Sequence, residues 1–422
     1  MSMPAEPFRE PSRRSVLCLD WMNFFLADVR DGLGPYLAIY LTSRRRWDPG
    51  TVGIAMAAML VGTIATQSFA GALIDRIRWK RAATAIAAGV VGAGCVAMIV
   101  WPSFPVVVGS QALIGAAASV FPPAIAALSL GIVGHARLAR RTGRNEAYNH
   151  LGNVASAVAA GAAGYLLGYW SIFVLVALMA ALSAATTMAL PEREIDHALA
   201  RGALEDERGA AVGVESVTAL FKDRRLLVFT ACAVAFHFAN AAMLPLVGQK
   251  LTHGMERGTA LLMSACIIVA QLVMIPVALA ASRYSETWGR KPTFLIGFAV
   301  LPIRGLLYTM TTNPYALVAI QVLDGVGAGI FGVVSILVVA DLTRGTGRFN
   351  LTQGMIATAT ALGAALSNGV GGYVVKAWGF DAGFLTLAAI ALAGLALFAL
   401  GTAETRAAPS AGPAGGRMLQ SA

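Results

Sequence analysis

The sequence predicts an all-α membrane protein with twelve transmembrane helices, on three observations. Twelve apolar stretches recur along the 422 residues, near 15–41, 50–74, 82–101, 104–134, 145–168, 170–190, 226–248, 258–281, 292–311, 315–341, 350–375 and 381–402. A helix of about 20 apolar residues crosses the hydrocarbon of a bilayer. Lys and Arg gather in every second gap: roughly 24 lie on the N-terminal side of the membrane and roughly 6 on the other, and cytoplasmic loops retain such residues. Finally, 57% of the chain is hydrophobic and only 13% is charged, against about 25% charged residues in soluble domains. Both termini are therefore expected in the cytoplasm. Ala-, Gly- and Arg-rich usage with short external loops fits a bacterial inner membrane.

The net charge of +10 does not indicate nucleic-acid binding, because it sits in short gaps beside spans: Arg76, Arg78, Lys80 and Arg81; Arg137, Arg140, Arg141 and Arg144; Arg283, Arg290 and Lys291. Arg44, Arg45 and Arg46 form one external exception. Six of the seven Trp residues lie at or near span ends, where amphipathic indoles favour the interface. Cys18, Cys95, Cys232 and Cys266 fall inside spans without metal-type spacing and read as small core residues. The first span carries Asp20, Asp28, Arg30 and Asp31, which no signal-peptide core carries. There is no Walker loop to bind ATP, and the scattered histidines lack metal spacing. No enzymatic constellation, cofactor or metal site is expected.

The spans divide six and six about a polar segment, 192–225, that contains Glu192, Arg193, Glu194, Asp196, Glu205, Asp206, Glu207 and Arg208. Its middle reads equally as an amphipathic surface helix or as disorder. The expected domains are an N-terminal bundle 1–191, a cytoplasmic linker 192–225, a C-terminal bundle 226–402 and a disordered tail 403–422. The halves resemble each other. Span four reads Gln111-Ala-Leu-Ile-Gly115-Ala-Ala-Ala-Ser-Val-Phe121, and span ten reads Gln321-Val-Leu-Asp-Gly325-Val-Gly-Ala-Gly-Ile-Phe331. Both are followed by Thr-Gly-Arg, at Thr142-Gly143-Arg144 and Thr346-Gly347-Arg348. Duplication into two pseudo-symmetric six-helix bundles is the architecture of transporters that rock about a midplane site.

After span two the chain reads Gly71-Ala-Leu73-Ile-Asp75-Arg76-Ile-Arg78-Trp-Lys80-Arg81. This is similar to the Gly-x-Leu-x-Asp-Arg-x-Gly-Arg-Lys signature of the major facilitator superfamily, with Arg78 where the second Gly is usual. The sister loop, Ser282-Arg-Tyr-Ser-Glu286-Thr-Trp-Gly289-Arg290-Lys291, keeps Gly-Arg-Lys and has Glu286 where Asp is usual. The chain resembles this superfamily over nearly its whole length. The resemblance implies a monomeric secondary transporter working by alternating access, and a conformational latch at Gly71, Asp75, Arg76 and Lys80, with Glu286, Gly289, Arg290 and Lys291 in the sister copy. A carboxylate there can hold the helix N-termini of the opposing bundle. A static salt bridge is the other reading. The nearest likeness is to the bacterial drug:proton antiporters, with two departures. Gln111 and Gln321 stand where drug-exporting relatives often have Arg in span four. In span five, Ser156-Ala157 replaces the Gly-Pro of the antiport signature.

Ionisable residues inside spans are costly and are functional candidates. In span one, Asp20, Asn23, Asp31 and Gly34 share one helical face; with Asp28 and Arg30 the polar arc is roughly 160° wide at about 100° per residue. That suits a helix lining a water-filled cavity. A carboxylate in low dielectric favours its neutral form, and a neighbouring Arg favours the charged form. Asp31, Asp28 and Arg30 thus have the parts of a proton switch, with Asp324 of span ten as a further candidate. A fully paired cluster that only orients span one stays open. The cavity candidates are Asp20, Asn23, Gln111, Asn149, His150, His237, Asn240, Gln271, Arg304 and Gln321. His237 reads also as a packing residue, and Arg304 as either a partner of Asp324 or a snorkelling side chain.

The expected activity is proton-coupled efflux of drug-like or amphipathic small molecules. Two other readings stay open: proton-coupled uptake of an organic anion anchored by Arg30 or Arg304, and a membrane sensor or lipid-handling protein that kept the fold without transport. The partners implied are a small-molecule substrate, protons and the lipid bilayer.

Overall fold

A computed structural model describes residues 10–31, 33, 37, 40–41, 44–47, 49–202, 222–254 and 259–406, without the side chains of residues 30, 31, 49, 50, 52, 53, 165, 251–254, 259–261, 263 and 264. All regular structure among the described residues is helical. The α-helices are α1 (Arg13–Asp31), α2 (Pro49–Arg76), α3 (Lys80–Val100), α4 (Phe104–Ala118), α5 (Phe121–Leu166), α6 (Trp170–Met188), α7 (Arg224–Ala241), α8 (Met243–Gly254), α9 (Thr259–Thr287), α10 (Arg290–Thr309), α11 (Pro314–Leu342) and α12 (Phe349–Gly401). Short 3-10 turns follow α6 at Glu192–Glu194 and Leu199–Arg201. Nine stretches among the described residues are long and apolar enough to cross a membrane. Their outward surfaces are apolar, as at Val61, Phe69, Ile86, Leu113, Leu178 and Leu392. This is a multi-pass membrane protein.

Helix ends follow local chemistry. Asn313 caps α11, accepting from the backbone N–H of Tyr315 (2.9 Å) and Ala316 (3.3 Å), with Pro314 in the first turn. Between α4 and α5 the backbone at Ser119 and Val120 keeps right-handed helical angles. Hydrogen bonding lapses there because Pro122 and Pro123 have no N–H to give to carbonyls four residues back. Two reversals inside long helices fall on Gly134 (φ 69°) and Gly379 (φ 85°), a backbone region that side chains with a Cβ rarely adopt. Directly after Gly134 the chain is helical again. The expected loop at 135–144 is therefore the start of a helix, and Arg137, Arg141 and Arg144 fall at its three- and four-residue spacings on one face.

The buried apolar residues form separate clusters. One draws only on residues 19–195. A second lies mostly beyond residue 225, joined by Ala126, Leu130, Leu138 and Ala139 of α5. The segments around Ser12, Asp75, Glu194, Arg290 and Glu404 lie at one face of the molecule, called here the terminal face. Ser12 N–H and Ser15 Oγ donate to Glu194 at 3.1 and 2.7 Å, and Arg81 pairs with Glu192 at 2.5 Å. The first part of 192–225 is thus packed against the body. Leu199 and Ala200 are buried, and Asp196 N–H donates to Gly131 O at 2.9 Å. The rest of that segment, with its expected surface helix, lies outside the described residues.

The expected disordered tail needs correction over 403–406. Glu404 accepts from the N–H groups of Arg290 (2.9 Å) and Lys291 (3.0 Å), capping α10, and Lys291 Nζ donates to Thr402 O at 2.8 Å. These contacts order the segment by satisfying exposed helix N–H groups. Partial burial raises the Glu404 carboxyl, but backbone donors from Arg406, Arg290 and Lys291 outweigh it and hold the group below the usual range. A depressed folded value means stabilisation that is present above the ordinary Glu range and lost as pH falls through the folded value. Glu404→Gln should therefore lower the melting temperature at pH 7, with the gap from the unsubstituted protein closing toward acid pH. A gap that does not change from pH 7 to acid would contradict this capping account.

Candidate functional site

At the terminal face the two halves of the chain are tied by hydrogen bonds. Asp75, at the end of α2, is buried and accepts from Leu351 N–H (2.8 Å), Asn350 N–H (3.3 Å) and Asn350 Nδ2 (2.7 Å) at the start of α12. The carboxylate thus caps a helix N-terminus across the interface. Asn350 Nδ2 also donates to Ala200 O at 2.9 Å, and Gly345 N–H to Gly202 O at 2.7 Å. The helices touch along their backbones. A Cβ on Gly71 would strike the Asn350 carbonyl, and one on Gly354 would lie 2.6 Å from Gln67 O. One turn further in, the Ser68 and Thr358 hydroxyls are 3.1 Å apart.

Behind this seal lies a cavity of about 370 Å³. Both halves line it: Asn23, Gln67, Ser129, Asn145, Glu146, Asn149 and Asn153 from one, His237, Phe331, Ser335, Gln353 and Thr360 from the other. Glu146 is the only charged side chain among its described lining residues. A Cβ on Gly332 of α11 would lie 3.4 Å from Glu146 Oε2, so this carboxylate reaches the opposite half. His150, one turn along α5, places Nε2 3.9 Å from Glu146 Oε2 and Nδ1 2.7 Å from Gln271 Oε1 of α9. The His150 ring thus stands between Glu146 and Gln271 of the opposite half.

Each half also holds an ion cluster built on a buried Asp. In the first half, fully buried Asp20 accepts from Arg141 Nη2 (2.6 Å) and from Arg144 Nε and Nη2 (2.8 and 2.5 Å). Arg141 Nε donates to Asn145 Oδ1 (2.7 Å), which also accepts from Asn23 Nδ2 (3.0 Å), while Asn145 Nδ2 donates to Ser129 Oγ (2.7 Å). In the second half, Arg304 of α10 pairs with Asp324 of α11 and donates to Asn240 Oδ1 (2.7 Å) and Tyr308 Oη (3.1 Å). Gln321 Nε2 donates to the same Tyr308 oxygen at 2.8 Å.

Of the residues singled out in the sequence, Asn23, Asn149 and His237 line the cavity. Asp20 does not: two arginines enclose it inside the first half. Arg304, Asn240 and Gln321 are tied up in the second cluster, and Arg304 is 1% exposed rather than snorkelling. Gln111 is buried in α4, and His150 and Gln271 bond each other at the interface. Asp28 is half-buried in α1, within electrostatic range of Cys95. The side chains of Arg30 and Asp31 lie outside the described residues. In the sister loop the polar contacts of Arg290 and Lys291 stay within their own half: Arg290 Nε meets Asp341 at 3.2 Å, and both Arg290 and Lys291 hold Glu404. Arg76 is exposed, and Lys80 is buried with Nζ donating to Ile77 O at 2.5 Å. Glu146, Gln67 and Gln353 escaped the sequence reading. Gln67 and Gln353 carried a signal, since Gln67, Gly71 and Asp75 recur at four-residue spacing and Gln353 adjoins Gly354.

A helical membrane protein with a cavity lined from both halves of its chain has the build of a solute transporter, not of an enzyme. The chain belongs to the Major Facilitator Superfamily, whose family model matches residues 18–301 and 268–420. It is 49% identical over 393 residues to the MFS-type transporters MT2531 and Rv2456c of Mycobacterium tuberculosis strains CDC 1551 and H37Rv, spanning 93% of this chain and 94% of theirs. Its fold is similar to that of the human organic anion transporter MFSD10 (TETRAN), with a TM-score of 0.70 at 17% identity, over 92% of this chain and all of that one.

Removing one partner of a buried pair leaves the other charge stranded, which costs about 3–5 kcal/mol. Asp20→Ala strands Arg141, 4% exposed, whereas Arg144→Ala leaves the Asp20–Arg141 pair intact. Thermal unfolding in detergent should therefore show a much larger loss for Asp20→Ala than for Arg144→Ala. Equal losses would contradict this reading of the cluster.

Proposed function

We propose that this protein exports small organic cations in exchange for protons, with Glu146 as the carboxylate that both occupy in turn. The observation that carries the reading is the isolated position of Glu146 in the described lining of a cavity with no Arg or Lys there. An ammonium and a proton compete for one carboxylate, so binding of either releases the other. His150 beside it links the protonation of Glu146 to the hydrogen bond with Gln271 in the opposite half. This narrows the expected drug-like, amphipathic solute to a cation. Anchoring of an organic anion by Arg304 is disfavoured, since that guanidinium already holds Asp324, Asn240 and Tyr308. The anion named for the human structural neighbour does not alter this, because at 17% identity the likeness carries fold alone.

The architecture in this proposal is twelve crossings in two six-helix bundles, 1–191 and 226–402, joined by 192–225, with 403–422 as the tail. Two of the nine apolar stretches, Phe104–Gly164 and Phe349–Gly401, are each long enough for two crossings. α1, kept out of that set by its charges, supplies another. The basic terminal face is cytoplasmic in a bacterial inner membrane, and the transporter acts as a monomer. Asp75 is the latch that keeps that face shut, and Gly71 lets the helices close on it. Spin labels at positions 76 and 344 should move apart in Asp75→Ala. An unchanged distance would remove the latch role.

Liposomes holding purified protein and an internal pH dye test the coupling. Adding organic cations should move protons the opposite way, and Glu146→Gln should reduce that movement to the level of protein-free liposomes. Loss in Asp31→Asn with full movement in Glu146→Gln would transfer the proton-carrying role to Asp31. Anion-triggered co-movement in the unsubstituted protein would replace export with uptake.

A further inference from the structure

The floor of the cavity carries two carboxamides whose hydrogen-bonding capacity is incomplete. Gln67 Oε1 and Gln353 Nε2 are buried from water, and neither has a hydrogen-bond partner. Both residues line the cavity. They come from opposite halves, on α2 and α12, at the level where Gly354 meets the Gln67 backbone. Unpaired buried polar atoms are costly and few in folded proteins. Two such atoms, one acceptor and one donor, on residues that line one cavity call for a ligand that supplies both complements when the side chains turn toward it.

Several neighbouring polar groups are already occupied. Asn23, Asn145 and Ser129 bond one another, and Asn145 also accepts from Arg141. Aromatic character in the cavity is confined to Phe331 and the His237 imidazole beside it, 4.8 Å apart in an edge-to-face contact. Aliphatic side chains such as Ile125, Ile336, Val339 and Ile356 complete the apolar wall, and Asn149 and Asn153 join the two glutamines as its carboxamides, so selection among amines falls to those polar groups.

We infer that the transported solute is a hydroxylated organic amine, with its ammonium on Glu146 and a hydroxyl seated between Gln67 and Gln353. A hydroxyl is the smallest group that donates and accepts at once. It gives its proton to the orphan carbonyl of Gln67 and takes one from the orphan amide of Gln353. If the two carboxamides turn over, the roles exchange and a hydroxyl still serves. A cation without hydroxyls leaves both atoms unpaired, which is the penalty by which a polar site rejects an analogue lacking the polar group. Because the glutamines belong to different halves, the same hydroxyl pins the halves together where the terminal face is sealed. The inference rests on the reading of Glu146 as the cation-binding carboxylate and narrows the substrate of that site.

Glucosamine and cyclohexylamine make a matched pair of probes: each has a six-membered ring and one ammonium, but only glucosamine bears hydroxyls. Calorimetric titration of the full-length protein should show glucosamine binding at least about 10-fold more tightly, the loss expected when a polar site meets an analogue that cannot pair with it. Gln67→Leu and Gln353→Leu, checked for monodispersity by gel filtration, should each bind glucosamine no better than cyclohexylamine. The comparison in the unsubstituted protein does not depend on whether those variants fold. Equal or tighter binding of cyclohexylamine overturns the hydroxyl inference. If cyclohexylamine then still moves protons in liposomes through Glu146, cation export stands without it. Proton movement with neither amine overturns both.

Discussion

Hydrocarbon offers no hydrogen bonds, so every polar or ionised group that enters the membrane must find its partner within the protein. The arrangement of this chain follows from that constraint. Asp20 is held by two arginines, and Arg304 by a carboxylate, a carboxamide and a phenol. The open N–H groups at two helix starts are met by carboxylates from elsewhere, α12 by Asp75 and α10 by Glu404. Once these needs are met, the few polar groups left over are all the more telling. Two of them, on Gln67 and Gln353, belong to residues that line the cavity.

The segment after α2 and the Gly289-Arg290-Lys291 segment before α10 make different contacts. The signature after α2 reaches across the interface, where Asp75 binds the start of α12. Its counterpart before α10 turns inward, with Arg290 on Asp341 and both Arg290 and Lys291 on the tail carboxylate. One copy therefore joins the halves, while the other consolidates its own. Close approach is also shared, because the carbonyl of Ala278 and the side chain of Ser282 press on Gly143 much as Asn350 presses on Gly71.

The membrane class, the all-helical build and the family could be read from the sequence, because hydrophobic length and the placement of Lys and Arg are properties of the chain alone. Which polar residues face the cavity could not. A helical wheel puts Asp20 and Asn23 on one face, and the structure agrees that they are neighbours. What the wheel lacks is Arg141 and Arg144, more than a hundred residues away, which withdraw Asp20 from the cavity and leave Asn23 in its lining. Reading 135–144 as a loop hid Glu146 at the edge of a span, because the helical face it shares with His150 begins before the apolar run does. Gln67 shares the four-residue spacing of Gly71 and Asp75, but that it meets Gln353 on one cavity shows only when the crossing of α2 and α12 is seen.

A lone carboxylate in the cavity has an electrical consequence under the proposed exchange. One monovalent amine leaving for each proton entering moves no net charge. The membrane potential, worth about 2.3 kcal/mol per elementary charge at 100 mV, then neither drives nor opposes the cycle. Only the difference in proton concentration does, so a cell in alkaline surroundings would lose this export even while its membrane stayed fully polarised.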